Sequence, residues 1–304
     1  MKFFDNNNLM LENSSKGKYQ KNAITICLVF ILVFIIGNIL SSIPTTIYMI
    51  QDFSRLGILT DPIAIIDYSN NLPANTMIVT LFSTIFTAIS AIIYCVCIEK
   101  RSLSSMGIIK KKSISKYLKG LLLGFIIFSS AVLIAFLCGS VRFKFNDSAS
   151  LFTIFLFFLG YLIQGFNEEV LFRGYLLISL SNRTSIRNAI IINSIIFSIF
   201  HALNPGVTIL AIINIALYGV FASIYTLKYQ NIWQVSAFHS MWNFLQGNFY
   251  GFSVSGISGD TSLLNITTSK FSIINGGSFG MEGGLAVTVV LIIGILFLTK
   301  PRKL

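Results

Sequence analysis

Residues 23–46 read AITICLVFILVFIIGNILSSIPTT, an uncharged run long enough to cross a hydrocarbon core about 30 Å thick as a helix. Lys16, Lys18 and Lys21 precede it, as they would in a signal peptide. Its apolar stretch is too long for an h-region, however, and no small-x-small cleavage site follows. It reads as a retained first helix. Working outward, similar runs lie at approximately 75–98, 118–140, 150–180, 188–203, 207–227, 232–249 and 284–299. The run 150–180 exceeds one perpendicular crossing, so it is expected to tilt, break or project from the membrane. The expected fold is an all-α polytopic membrane protein, about eight transmembrane helices in one bundle with a buried polar cavity.

Composition agrees. The chain is 54% hydrophobic and 11% charged, with mean hydropathy +0.79, whereas a soluble domain carries about a quarter charged residues. A soluble globular enzyme, a disordered chain and a secreted disulfide scaffold are excluded. Cys27, Cys95, Cys97 and Cys138 fall inside apolar segments and read as small core residues. The Cys95-x-Cys97 pair has no second pair to complete a zinc site.

The net charge of +11 raises nucleic acid as a partner, and the positions of the charges answer it. With the N-terminus placed in the cytoplasm, 17 of the 22 Lys and Arg fall in the N-terminal tail, the alternate loops and the C-terminal tail. Only Arg55, Arg142, Lys144 and Lys270 fall outside, and Arg173 lies within a span. That asymmetry follows the positive-inside rule and places both termini in the cytoplasm. Anionic lipid headgroups suffice as partner for the basic excess, and no P-loop, zinc-finger spacing or internal repeat is present. The chain divides into a mobile polar tail (1–22, containing Asn6, Asn7 and Asn8), three N-terminal helices (23–140), a four-helix core (150–250), a Ser-, Gly- and Asn-rich external loop (250–282), and a last helix with a basic cytoplasmic tail (284–304).

In so apolar a chain the informative residues are ionisable groups inside spans, each costing at least a few kcal/mol near mid-bilayer. Nine of the eleven acids sit in tails, loops or span edges, Glu99 and Glu282 among them. The other two, Glu168 and Glu169, are adjacent in the stretch QGFNEEVLFRG (164–174), and both histidines, His201 and His239, also lie within spans. Glu169 and Arg173 are four apart on a helix and form an expected ion pair. Glu168 points about 100° away and lacks that cation; desolvation then suits it to act as a general base. Counting roughly 1.5 Å per residue from the span ends, Glu168, His201, His239 and Asn243 reach similar depth. Glu168 and His201 can polarise a water while His239 and Asn243 stabilise an oxyanion, a constellation for amide hydrolysis.

Taken together, Glu168-Glu169-x3-Arg173, Phe197-x3-His201 and His239-x3-Asn243 resemble the three motifs of the CPBP family, the CAAX-protease and bacteriocin-processing intramembrane peptidases, also called Abi. The resemblance covers roughly 150–250. It implies an intramembrane endopeptidase with Glu168 and His201 activating water, His239 and Asn243 forming the oxyanion hole, and Glu169, Arg173 and Phe197 in support, with no cofactor. An alternative is zinc held by Glu168, His201 and His239 with water in the fourth position. Against zinc, Asn243 is an amide the metal rarely takes, and no His-Glu-x2-His helix exists. Expected partners are the lipid bilayer and a membrane-associated peptide or protein substrate. The abundance of Ile, Asn and Lys suggests a Gram-positive bacterium, in which prenylated CAAX proteins are not the expected substrates. Family members there are associated with bacteriocin or pheromone maturation, self-immunity and surface-protein handling. Two non-peptidase readings compete: an immunity or scaffold protein that only binds, and a proton-coupled carrier, which would show repeat symmetry between halves.

Overall fold

The computed structural model of the chain describes residues 8–18, 21–259 and 261–300, apart from the Thr268 side chain. Lys2, Asp5, Asn6, Asn7, Asp260, Arg302 and Lys303, which enter the readings above, lie outside the described residues.

The capping chemistry is legible helix by helix. Asn8 accepts the Met10 and Leu11 backbone N–H groups and starts α1 (Leu9–Ser15). Asn22 accepts from Thr25 and starts α2 (Ala23–Leu56), which Gly57 stops in the left-handed conformation. Asp61, with Pro62 in the first turn, opens the short α3 (Pro62–Asn70). There follow α4 (Ala74–Ile98) and α5 (Ser113–Leu137), strand β1 (Val141–Phe145), then α6 (Leu151–Ser181), α7 (Ile186–Ile199) and α8 (Ile209–Tyr229). The chain continues through α9 (Ile232–Phe244), drawn out by a π-helical turn at Leu245–Phe249, strand β2 (Leu264–Ser269), α10 (Ser272–Asn275) and α11 (Leu285–Thr299).

This is an all-α, multi-pass membrane protein. Among the described residues five helices (α2, α4, α5, α6 and α8) are long and apolar enough to cross a bilayer. The apolar α7 and α11 have 14 and 15 residues, a rise of only about 21–23 Å. Along α2, Ile24, Leu28, Leu32, Ile35 and Ile39 are exposed, a stripe that lipid rather than water solvates.

Several expectations are corrected. The tail 1–22 is not uniformly mobile: α1 is docked, with Met10 fully buried and Asn8 Nδ2 donating to the Leu227 carbonyl at 3.0 Å. Helix α2 runs ten residues beyond the expected 46, carrying Asp52 with it, because Tyr68 on α3 donates to that carboxylate at 2.6 Å. The segment 141–145 pairs antiparallel with 264–269, a contact across more than a hundred residues that no local pattern announces. Cys97 and Cys138 are exposed rather than core.

The connecting segments gather at two ends. At one, Asn182 Nδ2 donates to the Leu11 carbonyl, the Leu9 backbone N–H to Gln230 Oε1, and Lys228 Nζ to the Leu298 carbonyl. A buried network lies there too: Glu99 accepts from Lys21 at 3.0 Å and from Arg101 at 3.2 Å, and Arg101 also donates to Ser179. Burial by itself would lower the Lys21 pKa, but its hydrogen bonds to Tyr94 and Glu99 and the Glu99 charge raise it on balance. The opposite end carries the β1–β2 ladder and the segment 250–282.

Two glycines set where α9 sits. A Cβ on Gly120 of α5 would lie 2.1 Å from the Gln234 carbonyl oxygen, and one on Gly165 of α6 would lie 2.4 Å from Ser240 Oγ. Only a hydrogen allows these backbones to approach, the usual device where helices pack without a hydrophobic driving force. Helix α9, the carrier of His239 and Asn243, is thus wedged between α5 and α6.

Candidate active site

The glutamate doublet ends the regular part of α6 (Leu151–Glu169), and the next eight residues, Val170–Leu177, are π-helical. The expected break in the long span is therefore a change of winding at the doublet, a feature often found at functional sites. Arg173 lies inside the π segment and remains within reach of Glu169, its Nη1 donating to Oε1 at 3.1 Å. Both side chains are fully buried. The guanidinium also lies beside aromatic rings, 4.4 Å from the Phe197 centroid and 5.6 Å from that of Tyr218, which adds cation–π attraction at a fully buried position.

Glu169 has more partners than Arg173. The same Oε1 accepts from His239 Nδ1 at 2.8 Å and from the Tyr218 hydroxyl at 3.3 Å. With Nδ1 donating to a carboxylate, the ring orientation of His239 is set and Nε2 faces the other way. It faces Glu168, whose Oε2 is 3.8 Å distant.

Glu168 differs from its neighbour in its partners, although both carboxylates have a buried Oε2 with no hydrogen-bond partner. No guanidinium touches Glu168, and Gln164 Nε2 donates to its Oε1. Gln164 in turn accepts from Asn243 Nδ2 at 2.9 Å. The second amide hydrogen of Asn243 is not used in that bond. An unpartnered buried carboxylate oxygen is costly unless a ligand or water completes it.

His201 is not in a helix. Helix α7 ends at Ile199, and His201 occupies the turn beyond, with Nδ1 donating to the Phe197 carbonyl at 2.8 Å. A carbonyl can only accept, so Nδ1 carries the proton and Nε2 of a neutral ring holds the lone pair. The expected span 188–203 therefore ends short, and that shortness delivers a histidine to the interior.

Glu168, His201, His239 and Asn243 all line one cavity of about 310 Å³, bounded by α4, α6, α7, α8, α9, α11 and the segment 254–257. Residues 150–245 match the family model of the type II CAAX prenyl endopeptidases, Rce1-like. The matched segment is about a third of the chain. All three motifs lie inside it, and the cavity is the meeting place of its helices with α4 and α11 from outside it. No curated protein matches the chain.

Sequence reasoning missed three participants in the candidate site. Gln164 was legible, being four residues before Glu168 on the same helix face. Tyr218 was not, being one of eleven tyrosines with no positional cue. Glu282 was assigned to a span edge, yet it lines the cavity together with Ser255 of the supposed outer loop. As zinc ligands, Glu168, His201 and His239 fit poorly: the Nε2 atoms of both rings are uncommitted to hydrogen bonds, but among the described residues no group of three His, Cys, Asp or Glu is spaced to hold a metal.

Proposed function

We propose that the chain is an intramembrane endopeptidase that hydrolyses a peptide bond of a membrane-associated protein or peptide, with water activated by Glu168 and His201. One observation carries the reading: of two adjacent carboxylates, Glu169 is fully buried and held through Oε1 by Arg173, His239 and Tyr218, while Glu168 is part-exposed, touches no guanidinium and lines the cavity. A carboxylate that lines the cavity and is not engaged by a guanidinium is a competent base. Glu168 takes a proton from a water positioned with the help of His201 Nε2. The resulting hydroxide adds to the scissile carbonyl, and the negative charge passes to the carbonyl oxygen. His239 Nε2–H and the second Asn243 amide hydrogen stabilise that oxyanion. Two carboxylates and one guanidinium leave one negative charge in the buried set, which an imidazolium at His239 balances. Collapse breaks the C–N bond as Glu168 returns its proton to the leaving amine.

The water in this mechanism is metal-free. Cleavage by purified protein in proteoliposomes is expected to survive a strong chelator; loss of cleavage that zinc alone restores would replace the mechanism by the zinc form. The chain is placed in the cell membrane with both termini cytoplasmic and eight crossings, supported by the gathering of alternate connections at one end of the bundle. The decisive experiment compares membrane peptidomes of cells carrying the wild type and Glu168→Ala. New peptide ends present only with the wild type are expected, and they identify the substrate. Identical peptidomes would leave only a binding role.

A further inference from the structure

The cavity has a second carboxylate wall. Glu282 follows Gly280 and Met281 in the short turn before α11, and among the described residues it is the only carboxyl group other than Glu168 lining the cavity. Its backbone is tied down, since Asn214 Nδ2 on α8 donates to the Glu282 carbonyl at 2.7 Å and to that of Gly284 at 2.9 Å. Its side chain is aimed by Ser255, whose backbone N–H and hydroxyl donate to Oε2 at 3.1 and 2.7 Å. The same loop reaches the catalytic turn, with Asn204 Nδ2 donating to the Ser255 carbonyl at 3.0 Å and the Asn204 backbone N–H to the His201 carbonyl at 3.2 Å. A substrate lying against His201 therefore passes close to this loop.

Charge decides what that substrate carries. Among the described residues no lysine or arginine lines the cavity, so Glu282 meets neither kind of side chain there. An acidic substrate side chain would meet like charge in a poorly solvated space, and a cationic one would find a preset acceptor. We propose that Glu282 is a specificity residue, which accepts the ammonium or guanidinium of a basic residue flanking the scissile bond. The proposal rests on the peptidase reading for its description of the ligand as a substrate.

The test uses the full chain in nanodiscs and a library of apolar peptides, each carrying one Lys, Leu or Glu at a scanned position. Retention of each peptide is measured first, and the cleaved products by mass spectrometry second. The wild type is expected to retain and cut the Lys peptides in preference to their Glu twins. Glu282→Gln, whose amide oxygen still accepts from Ser255, is expected to lose that preference by roughly tenfold or more, the scale of a hydrogen bond to a charged group. Glu282→Lys is expected to shift it toward the Glu peptides. Equal retention of Lys and Glu peptides by the wild type, or a preference unchanged in both variants, overturns the proposal. Glu282-dependent retention with no cutting by the wild type would instead overturn the peptidase reading and keep Glu282 as the recognition group.

Discussion

Replacing Glu168 by glutamine is expected to slow peptide-bond cleavage by about 10²–10⁴-fold, the contribution of a well-placed general base. The substitution is nearly isosteric. Its amide oxygen can still accept from Gln164 Nε2, the one hydrogen bond that Glu168 makes. The cavity keeps its shape, and what is lost is the capacity to take a proton from water. The loss should fall on kcat with KM little changed, because the carboxylate acts on water rather than holding the peptide. Initial rates on the substrate identified by peptidomics, with wild type and variant in the same lipid, supply the measurement. A fall of less than tenfold would move the base elsewhere, His201 being the next candidate.

The second large effect is expected at Arg173, where the loss is structural before it is catalytic. Arg173→Met leaves Glu169 fully buried without its guanidinium. Breaking such a pair from one side typically costs about 3–5 kcal/mol. Lysine is not expected to rescue the variant, because the guanidinium lies over Phe197 and Tyr218 as well as against Glu169, and an ammonium cannot reproduce that planar stacking. The double variant Glu169→Gln/Arg173→Met is expected to regain much of the thermal stability, since neither charge is stranded. It should remain slow, because His239 Nδ1 then faces an amide rather than a carboxylate. Thermal unfolding followed by tryptophan fluorescence, paired with initial rates, separates the two effects. Equal stability of the single and double variants would show that the stranded Glu169 charge is not what destabilises the single variant.

The membrane class and the axial order of the helices were legible because lipid imposes a local rule. Every buried backbone group must find a partner within its own segment, so each crossing declares itself as an apolar run. The Glu169–Arg173 pair and the shared face of His239 and Asn243 were legible for the same reason, being set by helical spacing within one element. The ends of the elements were less so. Asp52 stays in α2 because Tyr68, sixteen residues later, satisfies it, and His201 leaves α7 for a turn that the apolar pattern ran through. Both outcomes depend on partners that single-segment periodicity does not contain.

By itself, then, the sequence determined that this is a multi-pass helical membrane protein, and it marked the three buried motifs on which the proposed chemistry stands. Only the tertiary structure decided how the carboxylates divide. Glu169 is taken by Arg173, His239 and Tyr218 from three directions, Glu168 is left facing the cavity, and Gln164 links it to Asn243. It likewise brought Glu282 from a presumed outer loop to the same cavity. The physical reason is that a carboxylate's environment is the sum of groups from separate helices. Those helices meet because Gly120 and Gly165 let α9 come close, a matter of tertiary packing that composition and spacing do not encode.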